Sequence, residues 1–271
     1  MKKVTVALLL TLMLVLSTFG MASAVTDGEL DGEGHPYVGL MVAQDEDGNP
    51  LWRCSGTLIA PKLFLTAGHC TEAPAVSAEI WFASDVQSGV PANGYPYEGE
   101  VSGTTYTHPE YDPNAFFLHD LGVVVLDEAI EMETYGALPG LNQLDEYATK
   151  RGQNKVTFTA VGYGLQKSFP DAASWKESAL KIRMVAYPKL IQINGGLVGD
   201  FSILLSNNAH TGGTCFGDSG GPNFIGDTNV IAGVTSFGMN GNCAGTGGVY
   251  RIDQADDLDW LYTEFSGYLD F

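Results

Sequence analysis

Three short segments of the sequence carry side chains that together could cleave an amide or ester bond. They are Leu65–Cys70 (LTAGHC), Leu118–Val123 (LHDLGV) and Thr214–Pro222 (TCFGDSGGP). A serine hydroxyl is a weak nucleophile at neutral pH unless a base accepts its proton and a carboxylate orients that base. His69, Asp120 and Ser219 supply these groups, in the order histidine, aspartate, serine. The pattern therefore indicates nucleophilic catalysis by a serine.

Each of these residues also has a structural interpretation. His69 follows an apolar run and could pack in a core, and Ser219 could belong to a glycine-rich turn only. Asp112 or Asp127 could orient the base instead of Asp120. We expect surface or packing positions for the remaining histidines, which are His35, His108, His119 and His210. None of them forms a metal-ligand motif such as HExxH, so no catalytic metal and no cofactor is expected.

Two other functions fit part of the serine motif. Gly217-x-Ser219-x-Gly221 matches the nucleophile turn of lipases and esterases, but in that fold the histidine follows the serine. Here the last histidine, His210, precedes Ser219, so this interpretation is rejected. A catalytically silent binding module with the same fold is the second alternative, and the presence of all three candidate residues argues against it.

The first 24 residues have the features of a secretory signal peptide. Lys2 and Lys3 precede an apolar run from Val6 to Leu16, and Met21–Ala24 offers small residues for cleavage. The run is short for a membrane anchor, which needs about 20 apolar residues. We therefore predict export to an extracellular, oxidising environment, in which disulfides persist. The four cysteines could pair in three ways.

Composition narrows the class of partner. The formal net charge is −19, with 13 Lys plus Arg against 32 Asp plus Glu. Without a basic patch, nucleic-acid binding is not expected. The charge favours solubility, and adaptation to salt is a less favoured explanation for it. Apolar residues make up 45% of the sequence, enough for a substantial core.

The elements that must position these residues are mainly strands. Apolar and alternating runs predict strands at 35–43, 51–59, 62–65, 120–127, 155–163 and 229–237. Leu258, Leu261, Tyr262 and Phe265 form one apolar stripe of a terminal helix, with Asp253 as its N-cap. A break near 138–154 separates two halves. These features predict an all-β protein of two barrels, although periodicity alone leaves a sandwich open.

The segments TAGHC, HDLGVVVL and GDSGGP resemble the chymotrypsin-like (trypsin-like) serine proteases, specifically a secreted bacterial-type member. The resemblance covers nearly all of the chain after the signal segment. It implies two six-stranded antiparallel β-barrels with a C-terminal α-helix and an active site between them. The N-terminal barrel would span residues 25–145, and residues 146–271 would form the C-terminal barrel plus the helix.

The same resemblance assigns roles to individual residues. Ser219 would attack the peptide carbonyl, His69 would transfer the proton, and Asp120 would orient the imidazole. The N–H groups of Gly217 and Ser219 would form the oxyanion hole, and Ser236 would bond the aspartate. The resemblance selects the disulfides Cys54–Cys70 and Cys215–Cys243.

Family positions also imply a primary specificity pocket. These positions are Gly213, Thr214, Thr235, Gly238 and Gly248. The position that holds an aspartate in trypsin is Gly213, and the wall glycines leave the slot open, so large apolar side chains before the scissile bond are expected. Glutamate specificity is disfavoured, because Thr235 replaces the family's pocket histidine.

The start of the mature chain carries a further expectation. Val25-Thr26-Asp27-Gly28 looks like the family's I-V-G-G start, whose α-amino group pairs with the aspartate before the nucleophile, here Asp218. Signal peptidase itself would then expose Val25; the alternative is an ordinary N-terminal tail. We expect a secreted monomer that acts on proteins or peptides, with no membrane association after signal removal.

Overall fold

Strands dominate the fold, as the sequence predicts. The computed structural model describes residues 25–148, 155–167, 179–193, 199 and 201–269. The predicted signal segment, residues 1–24, lies outside them. Among the described residues, no helix has the length and apolar character that crossing a membrane requires.

Fourteen strands and three α-helices are described. The strands are β1 (Glu29–Leu30), β2 (Val38–Gln44), β3 (Pro50–Ala60), β4 (Leu63–Thr66), β5 (Ser77–Trp81), β6 (Val101–Thr107), β7 (Gly122–Leu126), β8 (Phe158–Gly162), β9 (Met184–Ala186), β10 (Leu190–Ile193), β11 (Ser202–Asn207), β12 (Pro222–Ile225), β13 (Ile231–Gly238) and β14 (Gly245–Arg251). The helices are α1 (Gly68–Thr71), α2 (Ala255–Glu264) and α3 (Ser266–Leu269). Short 3-10 turns lie at Gln87–Gly89, Pro113–Ala115 and Gln143–Tyr147.

The first half of the chain closes into a six-stranded antiparallel barrel. Its strand order is β2-β3-β4-β7-β6-β5. β2 and β4 are buried along their whole length, which explains their nearly continuous apolar sequences. In the β4–β7 pair, Leu65 lies opposite Val123 and Thr66 opposite Gly122. The residues just after β4 and just before β7 therefore emerge at the same end of the barrel.

The second half forms a curled sheet of eight strands, in the order β1-β9-β8-β12-β13-β14-β11-β10. The edge strand β10 curls back towards β8. Two hydrogen bonds join the segments at these strands: Phe158 N–H donates to Pro188 O (2.8 Å), and Leu190 N–H donates to Val156 O (3.0 Å). Six strands were predicted for this half. The second half itself contributes seven strands, β8 to β14, and β1 pairs with β9 to bring the sheet to eight.

The two ends of the chain cross between the halves. β1, near the N-terminus, joins the second sheet. Leu261 and Phe265 of the C-terminal helix region share a core with Leu58 and Val123 of the first barrel. The domain boundary between residues 145 and 146 stays a prediction, and each terminal segment packs outside the half in which the sequence places it.

A buried arginine also joins the halves. The Arg183 side chain is 1% exposed, and its Nη1 donates to the carbonyls of Val38 (3.1 Å) and Phe82 (2.8 Å) in the first half. Its Nε pairs with Asp31 at 2.8 Å. A buried charge that is fully paired in this way holds its surroundings in one arrangement, since removing a partner would leave it uncompensated.

The terminal helix was predicted correctly, but two details were wrong. The N-cap is Gln254 rather than Asp253. The Asp253 carboxylate instead accepts hydrogen bonds from Arg251 Nε (2.6 Å) and Leu144 N–H (2.7 Å), so it is not available for capping. Tyr262 is 53% exposed and does not belong to the buried stripe.

Candidate active site

His69 and Asp120 meet at the end of the first barrel described above. His69 lies in α1, which follows β4, and Asp120 lies two residues before β7. The two segments approach closely here: a Cβ at Gly122 would lie 2.7 Å from the backbone oxygen of Ala67. Close packing of these two segments brings the candidate base and the candidate carboxylate together.

The Asp120 carboxylate is wholly buried and held from three directions. His69 Nδ1 lies 2.9 Å from Oδ2, and the His69 backbone N–H donates to Oδ1 at 2.9 Å. Ser236 Oγ donates to Oδ2 at 2.5 Å. The alternative carboxylates Asp112 and Asp127 are exposed, and Asp112 bonds Asn114 instead. Asp120 is therefore the carboxylate that orients His69.

The charge of Asp120 changes the basicity of His69. Burial disfavours the charged imidazolium, but the charge of Asp120 and its hydrogen bond outweigh burial and raise the pKa of His69 above its usual value of 6.5. About a quarter of the His69 side chain stays exposed, so substrate can reach the ring.

Ser219 lies in a turn that both halves hold in place. Ser55 N–H donates to Ser219 O at 2.8 Å, and Gly220 N–H donates to Thr235 O at 2.8 Å. Gly217 and Gly220 have φ values of +96° and +77°, in the left-handed region that favours glycine. The GDSGGP composition is thus explained by the backbone conformation that exposes the serine.

A second hydrogen bond of Ser55 reaches the candidate oxyanion loop. Ser55 Oγ donates to Gly217 O at 2.9 Å and accepts from Tyr163 N–H at 3.0 Å. The wholly buried hydroxyl therefore links the first barrel, the Gly217 loop and the residue that follows β8. Sequence reasoning missed Ser55, and its position beside Cys54 was the available signal.

Ser219 lies where two open cavities meet. One has a volume of about 340 Å³, and the other, of about 560 Å³, is also lined by His69 and Gly217. His69 and Ser219 thus face the same cleft, without a hydrogen bond between these two described side chains. Such a bond commonly tightens only when substrate binds.

The smaller cavity lies at the predicted specificity site, but only some of the predicted residues line it. Thr214, Thr235 and Gly238 line it, as expected. Gly213, predicted at the position of the trypsin aspartate, and Gly248, predicted as one of the open wall glycines, do not line it. The Asn207 side chain occupies the space beside Gly213, and the Phe237 ring covers Gly248. Asn207 and Phe237 therefore separate these two glycines from the cavity, and the sequence alone does not show these contacts.

Two disulfides brace this region. Cys54 is joined to Cys70, and Cys215 is joined to Cys243. These are the pairs that the resemblance implies. The first connects β3 to the helix that carries His69, and the second connects the turn before Ser219 to the loop after β13.

Asp218, directly before Ser219, is wholly buried. Its carboxylate accepts hydrogen bonds from Gly164 N–H (2.7 Å) and Cys215 N–H (2.9 Å). Burial outweighs these bonds and raises the pKa of Asp218 to about 7. A cation beside this carboxylate would therefore be strongly favourable.

Val25 is also wholly buried and packs against Met184 and Ala186. The next residue, Thr26, forms a β-bridge with Gly213, and Gly213 N–H donates to Thr26 O at 3.1 Å. The predicted mature N-terminus thus lies against the strand segment that leads into the serine turn, rather than extending into solvent.

Comparison with known proteins identifies the family. A family model described as Trypsin matches residues 31–261. The chain therefore belongs to the trypsin family of serine endopeptidases.

Individual relatives are similar along most of their length. Collagenase of Hypoderma lineatum is 26% identical over 238 residues, covering 83% of this chain and 81% of the relative. Brachyurin of Leptuca pugilator is 29% identical over 222 residues, covering 79% and 88%. A solved structure of HL collagenase superposes with a TM-score of 0.68 at 24% identity, covering 89% of this chain and 98% of that one. It confirms the fold.

The expected bacterial type is not supported. The relatives that carry the identification come from insects and a crustacean. The motif residues are shared by the family as a whole, so they could not distinguish one lineage from another.

Proposed function

We propose that this chain is a secreted serine endopeptidase in which His69, Asp120 and Ser219 form the catalytic triad. The observation that carries this proposal is the pairing of a buried Asp120 with His69 Nδ1 at 2.9 Å, while the same imidazole faces the cleft lined by Ser219. This arrangement leaves Nε2 of His69 for the serine hydroxyl. Proteins or peptides are the substrates of the proposed reaction, and the enzyme acts as a monomer.

The reaction follows from these positions. Ser219 Oγ attacks the peptide carbonyl while His69 accepts its proton, and His69 then protonates the leaving amine. Asp120, fixed by Ser236, stabilises the imidazolium that forms. The N–H groups of Gly217 and Ser219 bind the developing oxyanion, where losing one donor typically costs about 10²–10³ in rate.

An apolar side chain before the scissile bond suits the 340 Å³ cavity. The rings of Phe216 and Phe237 contribute to its wall, and none of the described lining residues is charged. Burying one large apolar side chain there contributes about 1.5–3 kcal/mol. Since Phe237 occupies space beside Gly248, we favour leucine, methionine or phenylalanine over tryptophan.

The larger cavity receives the residues after the scissile bond. Arg53 and Lys181 line it, close enough that burial and then the charge of Arg53 lower the pKa of Lys181. Two neighbouring cations are notable in a chain of net charge −19. They favour substrates with an acidic residue on the leaving side.

Cleavage by signal peptidase before Val25 is proposed to produce the active N-terminus. The buried position of Val25 and the Thr26–Gly213 bridge support this step, and Asp218 supplies the carboxylate for the new α-amino group. N-terminal sequencing of the secreted, active protein tests it. A start several residues away from Val25 would contradict the step and leave the triad unaffected.

A fluorophosphonate probe tests the proposal as a whole. The secreted protein should be labelled once, at Ser219, and Ser219→Ala should lose both labelling and peptide hydrolysis. Ser266→Ala, at an exposed serine of α3, is the matched control and should behave like the parent. Absence of labelling in the folded, correctly processed parent would favour a binding module instead.

A further inference from the structure

A cluster of two histidines and three carboxylates lies directly behind the catalytic segment. His119, the residue before Asp120, stacks on His108 with ring centroids 5.1 Å apart and planes 11° apart. Asp256 and Asp257, in the first turn of α2, and Glu110 complete it. Among the described residues, histidines are the basic partners of these carboxylates: His108 faces Asp257, and His119 faces Glu110 and Asp256.

Two imidazole nitrogens in this cluster lack hydrogen-bond partners among the described residues. They are His108 Nε2 and His119 Nδ1, both inaccessible to solvent; Asp256 Oδ2 lies 3.3 Å from His119 Nδ1 but outside hydrogen-bond geometry. His108 is only 4% exposed as a residue, and its Nε2 points towards Asp257 Oδ1, 3.9 Å away. Buried polar atoms are almost always satisfied, so two orphaned nitrogens at one place indicate a missing partner.

One ligand atom from each of His108, His119 and Asp257 lies within 4.8 Å of the others. Tetrahedral zinc has Zn–N and Zn–O distances of about 2.0–2.2 Å, which places neighbouring ligand atoms about 3.3–3.6 Å apart. Because the two imidazoles are stacked nearly parallel, one of the rings must turn about its side-chain torsions so that both nitrogen lone pairs point at the same ion. We propose that His108, His119 and Asp257 bind a divalent transition-metal ion such as Zn²⁺, with a fourth position open to water.

The surroundings suit such an ion. His119 Nε2 lies 3.8 Å from Glu110 Oε2, and ligating histidines commonly donate their second N–H to a carboxylate. The Tyr250 hydroxyl donates to both Asp257 oxygens, at 2.9 and 3.0 Å, and orients that carboxylate. Asp256 Oδ2, 3.3 Å from His119 Nδ1 and partly exposed, offers an entry path.

Metal binding would break one hydrogen bond of His108. Glu110 N–H donates to His108 Nδ1 at 3.2 Å, which places the proton of a neutral His108 on Nε2. Coordination through Nε2 moves that proton to Nδ1 and breaks this long hydrogen bond. The two orphaned nitrogens gain a partner in exchange.

The position of the site suggests a regulatory consequence, which rests on the proposed function. His119 has a left-handed backbone, with φ of +51°, and is bonded directly to Asp120. A cation there would stabilise the Asp120 charge from behind and weaken its support of the imidazolium. Zn²⁺ should therefore lower kcat and leave KM nearly unchanged.

Calorimetric titration with ZnCl₂ tests the site itself, on secreted protein carrying Ser219→Ala to prevent self-cleavage. Saturable binding is expected, and His119→Asn should weaken it at least tenfold, since asparagine tolerates the left-handed backbone. His210→Asn, at an exposed histidine outside the cluster, is the matched control and should bind like the parent.

Equal affinity of the parent and His119→Asn, or no saturable binding, would overturn the proposal. If His119→Asn does not fold, Asp257→Asn replaces it, because the amide keeps the size of the carboxylate. The activity assay is separate: with Ser219 intact, Zn²⁺ should slow the parent more than His119→Asn. Equal inhibition would place the inhibitory ion elsewhere, for example at His69, and would refute the regulatory role alone.

Discussion

Replacing Ser55 with alanine tests whether a hydroxyl in the first barrel positions the oxyanion loop in the second half. The change removes the bond to Gly217 O and orphans the Tyr163 N–H. A buried, unsatisfied group costs about 1–3 kcal/mol, so the free energy of unfolding should fall by that amount. If the displaced oxyanion loop raises the activation free energy by about 1.4 kcal/mol, kcat drops about tenfold.

The assay separates positioning from simple destabilisation. kcat and KM are measured on a chromogenic peptide, with the active enzyme counted by fluorophosphonate titration; KM should change little, because the cavity walls stay intact. Thr57→Val is the matched control, since Thr57 lies on the same strand and its buried hydroxyl has no partner among the described residues. An unchanged kcat in Ser55→Ala, despite a lower free energy of unfolding, would refute the positioning role.

Three further predictions concern pH and substrate choice. Burial lowers the pKa of His69, but the charge and the hydrogen bond of Asp120 together outweigh burial and raise it. Activity, measured as kcat/KM against pH, should therefore fall as the pH drops through a value above 6.5. The pair stabilises the fold below the unfolded pKa of His69 and loses that contribution as the pH rises through the folded pKa. Phe237→Ala should uncover Gly248 and raise the preference for tryptophan over leucine before the bond about tenfold; an unchanged ratio on paired peptides would contradict the wall assignment. Lys181→Glu should reduce cleavage of peptides with a leaving-side glutamate about three- to tenfold, less at high salt, and equal loss with a leaving-side glutamine would argue against charge recognition.

The site was more predictable than the sheet that carries it. Sequence motifs placed His69 and Asp120 beside the apolar runs of β4 and β7, and the register of those strands brings the two residues together. By contrast, β9 has only three residues and β1 only two. Strands this short have no periodicity to detect, so their pairing, and with it the eight-stranded sheet, could not be anticipated.

The candidate specificity pocket shows the same limit at the level of side chains. Family positions assigned Thr214, Thr235 and Gly238 to this pocket, and these residues line the 340 Å³ cavity. What covers Gly213 and Gly248 depends on Asn207 and Phe237, which approach from other strands or past a register shift in β13. Such contacts arise from tertiary packing alone.

Each terminal segment of the described chain packs on the half formed by the other part of the sequence. The N-terminal strand β1 lies on the second sheet, whereas Leu261 and Phe265, near the C-terminus, pack on the first barrel. A single break between β7 and β8 would leave two fragments. They would stay associated through β1, through the C-terminal helices and through the hydrogen bonds of Arg183. We expect a chain cleaved there to elute in gel filtration at the volume of the intact protein. Its two fragments should dissociate only under denaturing conditions.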